Sequence, residues 1–398
     1  MRLLVFASAA PPSSGRLGAC LFKSKEHRMK KTLLAAAVLA TMAGAAQAET
    51  TVTLYGLIDT GLAYQRLSGP NDYRESKVGM TNGVSSGSRW GLRGTEDLGD
   101  GLSAVFTLES GFNSANGQSG QSTRLFGRQA TLGLKSSAWG LLEFGRQTNI
   151  ASKYFGAIDP FGASYGQATV GTAFSAANTV RYDNMVMYQT PSFSGFQAGV
   201  GYSFNVADTT AAQTGFKTNQ NTRGITAGLR YVNGPLNVAL TYDQLNMADQ
   251  LKTDTSPKSW ILGGSYDFEV VKLALAFGQT RDGWFTGTGV NAFGSGSPEA
   301  SGFPSNTAKA DFKANSYLVG LSAPIGGASN VLFSWQRVDP KNDLLTKDDA
   351  TMNVYSLGYT YDLSKRTNLY GMVSYATNFA FQDEVKSTVV GVGLRHRF

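Results

Sequence analysis

The chain has 398 residues, of which 42% are hydrophobic and only 16% charged, and its formal net charge is +7. Much of that charge lies in the first 48 residues, which hold seven Lys or Arg side chains and one acid. Residues 49–398 keep 28 basic and 27 acidic residues, a net charge of about +1. The high overall charge therefore gives no reason to expect a nucleic-acid partner.

Residues 29–48 have the pattern of a targeting segment. Lys30 and Lys31 form a short basic region, an apolar run follows, and the segment ends in the small-residue sequence Ala-Gln-Ala. This pattern predicts a secretory signal peptide that is cleaved after Ala48. The alternative, a transmembrane helix, needs about 18–20 apolar residues, and the run is shorter than that.

Residues 1–28 resemble no part of a signal. Met29 is itself a plausible initiator, so the segment is interpreted as a mis-assigned upstream extension or, alternatively, as an unusually long basic region. Either way we expect it to be absent from the mature protein. The single cysteine, Cys20, is lost with it. A mature chain without cysteine forms no disulfide and offers no thiol ligand to a metal.

Residues 49–398 contain no apolar stretch long enough for a membrane-spanning helix, but they alternate with a period of two. In 52–64 the even positions are mostly apolar and the odd positions are more polar, and 102–112 follows the same pattern. Segments of about ten residues with this alternation are typical of transmembrane barrel strands, which face lipid on one side and water on the other.

Sixteen such segments follow one another, and their connections alternate between short and long. We expect the short connections to be periplasmic turns and the long ones, 67–86, 149–178, 207–220 and 283–312, to face outward. The predicted strands are 51–66, 87–98, 101–113, 124–136, 139–149, 179–190, 194–206, 221–233, 235–247, 258–268, 270–282, 313–324, 328–339, 351–363, 366–378 and 386–398.

The sequence therefore predicts an all-β fold for 49–398, a sixteen-stranded antiparallel transmembrane barrel. Every backbone polar group at membrane depth must be paired inside the protein, and only a closed sheet achieves this. Sixteen tilted strands enclose a lumen that is too wide for side chains to fill. A water-filled channel follows from that geometry.

The last strand has an apolar-dominated face that ends in an aromatic residue. Val392, Leu394 and Phe398 lie on this face together with His396, and Arg395 and Arg397 lie on the other. A closing strand with a terminal Phe resembles the signal that outer-membrane assembly machinery recognises in barrel proteins. An ordinary edge strand that ends in Phe by chance is the alternative.

Several motifs follow one another along the chain: Val52–Asp59, Ser88–Gly99, Arg128–Leu134, Phe144–Gln147, Asp159–Gly162, Arg181–Asn184 and Gly393–Phe398. In their order and spacing they resemble those of the general-diffusion porin family of Gram-negative bacteria, in particular its beta-proteobacterial branch. The resemblance covers essentially all of 49–398, and no single motif decides it.

This resemblance implies a homotrimer of barrels in the outer membrane, surrounded by lipid and lipopolysaccharide and passing ions and small hydrophilic solutes. It also implies that the third outer loop, about 149–178, folds inward and narrows the channel. Acidic groups on that loop would face a cluster of arginines across the constriction. The matching positions are Asp159 on the loop and Arg89, Arg93, Arg146 and Arg181 on the wall.

Alternation by itself supports only some of these positions. Arg89 and Arg93 lie on the face opposite to Trp90 and Leu92, which favours the lumen. Arg146 shares its face with apolar residues, which favours the lipid side unless a bulge or a strand end intervenes. Arg181 could extend to a membrane interface, since long basic side chains do so.

Two further positions leave alternatives open. Asp159 precedes a proline and could serve ordinary turn chemistry instead of the channel. Arg128 aligns with apolar positions and is left out of the predicted constriction. An excess of basic groups at a narrow, water-filled passage favours anions, so we expect a weak anion preference.

Two other classes of protein compete with the porin. An outer-membrane barrel enzyme needs a general base near its substrate, but the single histidine of 49–398, His396, lies near the terminus on the predicted lipid face. An adhesin with little channel activity would use its outer loops, such as 283–312. We find no cofactor motif and no cluster of His and Cys for a metal, so neither is expected.

Overall fold

A computed structural model describes residues 51–207, 220–248, 255–286, 306–346 and 349–398. Within these ranges the chain forms seventeen β-strands, one short α-helix and four 3-10 turns. None of the described helices is long and apolar enough to cross a membrane. The predicted upstream extension and signal peptide, 1–28 and 29–48, lie outside the described residues and stay predictions.

The strands occupy most of the described chain, and α1 (Ile150–Phe155) lies between the sixth and the seventh. They are β1 (Thr51–Ser68), β2 (Arg74–Thr81), β3 (Arg89–Gly99), β4 (Leu102–Gly111), β5 (Gln129–Ser136), β6 (Gly140–Thr148), β7 (Arg181–Gln189), β8 (Phe196–Ser203), β9 (Arg223–Asn233), β10 (Leu236–Asn246), β11 (Lys258–Asp267), β12 (Lys272–Trp284), β13 (Thr307–Ile325), β14 (Ser329–Pro340), β15 (Met352–Asp362), β16 (Thr367–Thr377) and β17 (Lys386–Arg397).

The strands form one closed antiparallel sheet, because β17 pairs with β1 and completes the circle. On its other edge β1 pairs with β3 over 51–57 and with β2 over 61–68. β2 and β3 are thus two parts of a single barrel strand, which residues 82–88 interrupt. Counted in this way the barrel has sixteen strands, and the predicted fold class is confirmed.

The predicted strand boundaries need three corrections. The strand predicted at 124–136 begins only at Gln129, so 124–128 belong to the preceding connection, and β13 begins at Thr307, inside the predicted outer loop 283–312.

The third correction lies in the segment that was assigned to the outer loop 67–86. Its residues 74–81 form β2 and extend the barrel wall above β3. The pattern concealed this strand because its upper half is charged and polar, and only Val78 and Met80 expose large apolar side chains. Alternation between apolar and polar residues marks a strand only where one face meets lipid.

The two faces of β1 differ in polarity, because one faces the outside of the barrel and the other its interior. Even-numbered residues such as Leu54, Leu62 and Tyr64 are apolar and exposed on the outside, whereas the odd-numbered Asp59 and Gln65 are buried inside. Each strand pairing keeps partners on the same side of the sheet, so this assignment extends around the barrel. The predicted alternation of lipid-facing and lumen-facing residues therefore holds in the structure.

Short turns join the strands at one end of the barrel, for example 233–236 between β9 and β10 and 267–272 between β11 and β12. The longer connections 112–128 and 149–180 lie at the other end. Residues near the short turns are therefore at the predicted periplasmic end, and residues near the long connections are at the predicted outer end.

Candidate pore constriction

The connection between β6 and β7, residues 149–180 and called loop 3 below, folds back into the barrel. Its α1 begins after Asn149, whose side chain accepts a hydrogen bond from the backbone N–H of Ser152 (3.2 Å) and so caps the helix. The amide of Asn149 also donates to the carbonyl of Ala176 (2.7 Å) and to Asp243 on β10 (2.8 Å). One buried side chain thus ties both ends of loop 3 to the barrel wall.

Loop 3 packs its apolar side chains against glycines of the inner wall. The side chain of Ile150 lies where a Cβ on Gly199 or Gly228 would be, at 2.6 and 2.7 Å, and Phe155 lies 2.8 Å from the Cβ position of Gly263. We call these glycines the seats of loop 3, and they lie on six of the strands from β8 to β15: Gly199, Gly228, Gly263, Gly278, Gly320 and Gly358.

These seats explain how the loop stays inside. Any larger side chain at a seat would occupy the space of Ile150, Phe155, Phe174, Pro160 or Phe161. The interior of the barrel at this level is therefore a close-packed apolar layer, in which Ile150, Phe155 and Phe174 are buried. The prediction that the third outer loop folds inward is confirmed.

Asp159, the predicted acid of loop 3, is only 5% exposed. Its carboxylate accepts hydrogen bonds from the backbone N–H groups of Phe161 (3.1 Å), Ala163 (2.9 Å) and Val170 (2.9 Å). Burial raises the pKa of Asp159 to about 6, and the three N–H donors limit that rise. These bonds favour the turn-forming role left open by the sequence, and a role at the constriction stays a prediction.

Arg89 and Arg93 lie on the interior face of β3, as their alternation predicts. Their cross-strand partners on β1 are Leu57 and Thr53, which share the parity of the buried Asp59. The guanidinium of Arg93 lies 5.3 Å from the ring centroid of Tyr55, a cation–π distance. Arg89 donates through Nε to the carbonyl of Gly87 (3.1 Å).

Arg128, which alternation excluded, joins this cluster. Its Nε lies 2.6 Å from the carboxylate of Glu109, which also accepts a hydrogen bond from the hydroxyl of Tyr55 (3.0 Å). Arg128 immediately precedes β5, so the strand period does not yet govern its direction. Alternation was therefore the wrong criterion for leaving Arg128 out of the predicted constriction. The position of Arg128 in the Arg128–Leu134 motif was the better signal.

An irregularity in the pairing of β6 with β7 determines which residues surround Arg146. The register shifts between Gly145 and Gln147, where β7 contributes an extra residue and Asn184 has a positive φ of 48°. A shift of this kind redirects side chains, and Arg146 binds the nearly buried carboxylate of Asp183 at 2.6 Å. Arg124, a residue that the sequence reasoning missed, binds the same carboxylate at 2.7 Å.

Arg181 lies at the start of β7 and completes the cluster. Its Nε donates to the carbonyl of Arg128 (3.1 Å), and it interacts electrostatically with Arg89 and Arg146 as well. The structure thus brings together the predicted Arg89, Arg146 and Arg181, with Arg93 beside Tyr55. It adds two arginines, Arg124 and Arg128, that were not predicted.

A second segment enters the barrel opposite loop 3, namely residues 82–88 between β2 and β3, called the inner bridge below. Asp59 anchors it, since its carboxylate accepts from the N–H of Ser86 (2.8 Å) and from the hydroxyl of Tyr370. The inner bridge also contacts loop 3, because the carbonyl of Ser85 accepts from the N–H of Tyr165 (2.8 Å). Loop 3 and the inner bridge therefore meet across the lumen.

The charges around this passage are unequal. Seven arginines (Arg89, Arg93, Arg124, Arg128, Arg146, Arg181 and Arg395, which binds the hydroxyls of Ser85 and Ser86) are accompanied by three acids, Glu109, Asp183 and Asp59. Loop 3 contributes one acid, Asp159, whose oxygens are bound by its own backbone. In the described part of the chain, no group of three or more His, Cys, Asp or Glu side chains could hold a metal ion.

The predicted closing signal lies on the outer face of β17. Val392, Leu394 and Phe398 are 55%, 41% and 44% exposed. Phe398 exchanges both backbone hydrogen bonds with Gly56 (3.1 Å each), so the terminal residue closes the barrel against β1. Recognition of these residues by assembly machinery stays a prediction. His396 lies on the same strand and contacts the hydroxyl of Thr367 (2.8 Å).

A closed barrel with a lipid-facing exterior, an inward loop and a charged passage defines a transmembrane channel protein. Comparison with known proteins agrees. The sequence profile of the Gram-negative porin family matches residues 35–379. An outer membrane porin protein of Bordetella pertussis is 66% identical over 93% of this chain and all of its own length. Outer membrane porin protein 32 of Delftia acidovorans is 34% identical over the same shares.

Among solved structures, the anion-selective porin from Comamonas acidovorans superposes with a TM-score of 0.66 at 30% identity, covering 88% of this chain and all of that one. The chain therefore belongs to the Gram-negative porin family. It is an outer-membrane β-barrel channel for passive diffusion, as predicted. The family and the fold are those of non-enzymatic channels, and the matches do not favour the enzyme or adhesin alternatives.

Proposed function

We propose that this porin carries ions and small hydrophilic solutes through the passage beside loop 3 and the inner bridge, with a weak preference for anions. The observation that carries the preference is the ratio of seven arginines to three acids around this passage. The role predicted for Arg89, Arg93, Arg146 and Arg181 is part of this proposal. In this proposal the role of Asp159 is to stabilise the fold of loop 3.

The size of the effect follows from electrostatics. One fixed charge about 8 Å from an ion in water contributes about 0.5 kcal/mol, a factor of about two in the occupancy of a single ion and of about six in the ratio of anions to cations. Walls of low dielectric constant strengthen this field and salt weakens it. A net excess of four positive charges therefore supports a preference that is real but moderate at physiological salt. The solved relative from Comamonas acidovorans is described as anion-selective.

The test is the reversal potential of the refolded protein in a planar bilayer under a gradient of KCl. We expect the wild type to show an anion-preferring potential. The triple variant Arg89→Gln, Arg128→Gln, Arg181→Gln should lose most of it, because three of the four excess charges are removed. Compact migration on a gel without heating would show that the variant is folded.

A matched control removes three cations from the outer face of the wall, with Lys258→Gln, Arg281→Gln and Lys313→Gln. Those side chains are outside the lumen, so the reversal potential should not change. A wild type that prefers cations, or an arginine variant with an unchanged potential, would overturn the proposal.

We also propose that the protein acts as a homotrimer and has no enzymatic activity. The first part rests on the family resemblance, and the second on the position of His396, the single histidine of 49–398, on the outer face. The same bilayer recordings test the trimer, because three pores that insert together give conductance steps in groups of three. Isolated single steps throughout the recordings would contradict it.

A further inference from the structure

A row of basic residues crosses the outer surface of β11, β12 and β13. Lys258 pairs with Arg281, and Arg281 pairs with Lys313, so three cations on neighbouring strands stand at the same level. Directly opposed residues on a sheet have Cβ atoms about 5 Å apart. The row continues immediately after β14, where the N–H of Lys341 donates to the carbonyl of Lys313 (2.7 Å).

This basic row faces away from the lumen and lies at the outer end of the barrel. Its neighbours Ser259, Thr280 and Ala314 are the buried, inward residues of the same strands. β11 begins at the level of the row, β12 ends just beyond it at Trp284, and β13 enters the wall from the same end at Thr307, whereas the short turn at 267–272 lies at the other end. The row therefore stands at the level of the outer leaflet.

Below the basic row the same surface becomes aromatic and then apolar. The next row is Trp260, Gln279 and Asn315, and the one after it is Leu262, Phe277 and Tyr317. Trp260 and Phe277 are in edge contact with their ring centroids 5.4 Å apart, and Phe277 lies 5.2 Å from Tyr317. Aromatic side chains at this depth mark the boundary between headgroups and acyl chains.

Among the described residues, few acids are ion-paired with the row. Asp282 lies 4.0 Å from Lys258, whose side chain is 44% exposed, and Asp339 is bound by Lys341. Arg281 donates to the neutral amide of Gln279 (2.6 Å). Like charges placed directly opposite each other destabilise a sheet. An anion bound from outside would offset that cost.

We propose that the basic row is a binding site for the phosphate of a phosphorylated glycolipid of the outer leaflet. Lys258, Arg281 and Lys313 would hold the phosphate, since their side chains supply several charged N–H donors. The acyl chains would lie over Trp260 and Phe277. A free anion would leave this apolar part uncovered, so charge and hydrophobicity together point to a lipid. The site lies outside the channel and goes beyond the proposed function.

The experiment measures binding of lipid A to the folded protein in detergent by native mass spectrometry. The probes are lipid A, the same lipid without its phosphates, and inorganic phosphate as competitor. The test variant is Lys258→Gln, Arg281→Gln, Lys313→Gln. The matched control is Arg89→Gln, Arg128→Gln, Arg181→Gln, which removes the same charge from inside the barrel.

We expect wild type and control to bind lipid A alike and the test variant to bind it about 10- to 100-fold more weakly, since one basic side chain near an anionic lipid contributes about fivefold. The dephosphorylated lipid should bind wild type as weakly as lipid A binds the variant. If the test variant bound lipid A as tightly as the wild type, the proposed site would be overturned. Displacement of the lipid by millimolar inorganic phosphate would overturn its assignment to a lipid. The reversal potential decides the channel proposal separately.

Discussion

The two halves of the inner wall differ in what they present to the lumen, although both follow the same period of two. From β8 to β15 the inward positions include the six glycine seats, and loop 3 fills the space above them. From β3 to β7 the inward side carries long arginines and their two acids. Small residues on one side thus bring the loop against the wall, and the passage is left beside the charged side.

The largest effect is expected from a larger side chain at one of the glycine seats, because it would disturb the packing of loop 3 against this half of the wall. A Cβ on Gly320 would overlap the ring of Pro160 in loop 3. Gly320→Val should therefore push the loop out of its place, at a cost of about 1–3 kcal/mol for overpacking. We expect higher single-channel conductance and a weaker anion preference, since the passage widens beside the arginines. Planar bilayer recordings measure both.

Gly79→Val provides the control for this change. Gly79 is also an inward position, because it pairs with the buried Ala63, but nothing lies within 4 Å of its Cβ position. The conductance of this variant should match the wild type. An unchanged conductance in Gly320→Val would show that the seats do not hold loop 3.

A smaller effect is expected from loosening the inner bridge on the charged side. The hydroxyl of Tyr370 donates to Asp59 and accepts from the N–H of Val84 (3.2 Å), and its ring contacts Tyr165 of loop 3. Tyr370→Phe keeps the ring and removes both hydrogen bonds, which costs about 1–3 kcal/mol when buried partners are left unpaired. Amide hydrogen exchange at 82–88 should become faster.

The exposed Tyr355 on the outer face of β15 gives the matched control. Tyr355→Phe removes a hydroxyl from the outer surface and should leave exchange at 82–88 as in the wild type. Unchanged exchange in Tyr370→Phe would mean that other contacts of the inner bridge hold it in place.

The smallest expected effect concerns the pH dependence of loop 3. Burial raises the pKa of Asp159 to about 6, whereas an exposed aspartate has a pKa of about 3.9. The folded loop therefore takes up a proton as pH falls through about 6, and its stability increases from pH 7 towards pH 4. We expect less flickering of the open-channel current at pH 5 than at pH 7.

A variant of His396, the single histidine of 49–398, provides the control for this effect. His396→Gln should keep the pH dependence of the current noise, and Asp159→Asn should remove it. A dependence that disappears in the histidine variant would contradict the assignment to Asp159.

The number and positions of the strands could be predicted because lipid imposes a strict alternation on each one. The rule failed at β2, where Arg74 and Glu75 lie above the apolar band and the strand continues without lipid contact. It also gave no sign of the inner bridge. Residues 82–88 leave the wall because Asp59 and Tyr370, far apart in sequence, bind them inside the barrel.

The candidate site was partly predictable for the same reason. Arg89 and Arg93 lie within a regular strand, so their parity gives their side of the wall. Arg128 precedes its strand and Arg146 faces a register shift, and for these two residues parity indicated the lipid side. Arg124 lies in the outer connection 112–128, where no period exists. Its role depends on Asp183, which only the folded chain brings within 2.7 Å.

The sequence by itself determined the barrel, because pairing every backbone group within a lipid environment leaves a closed sheet as the solution for an alternating chain. It also determined the family, through the order and spacing of its motifs. Only the tertiary structure decided where the charges meet and where loop 3 rests. Those contacts join residues of different strands and loops across the lumen, and a period along one strand contains no information about them.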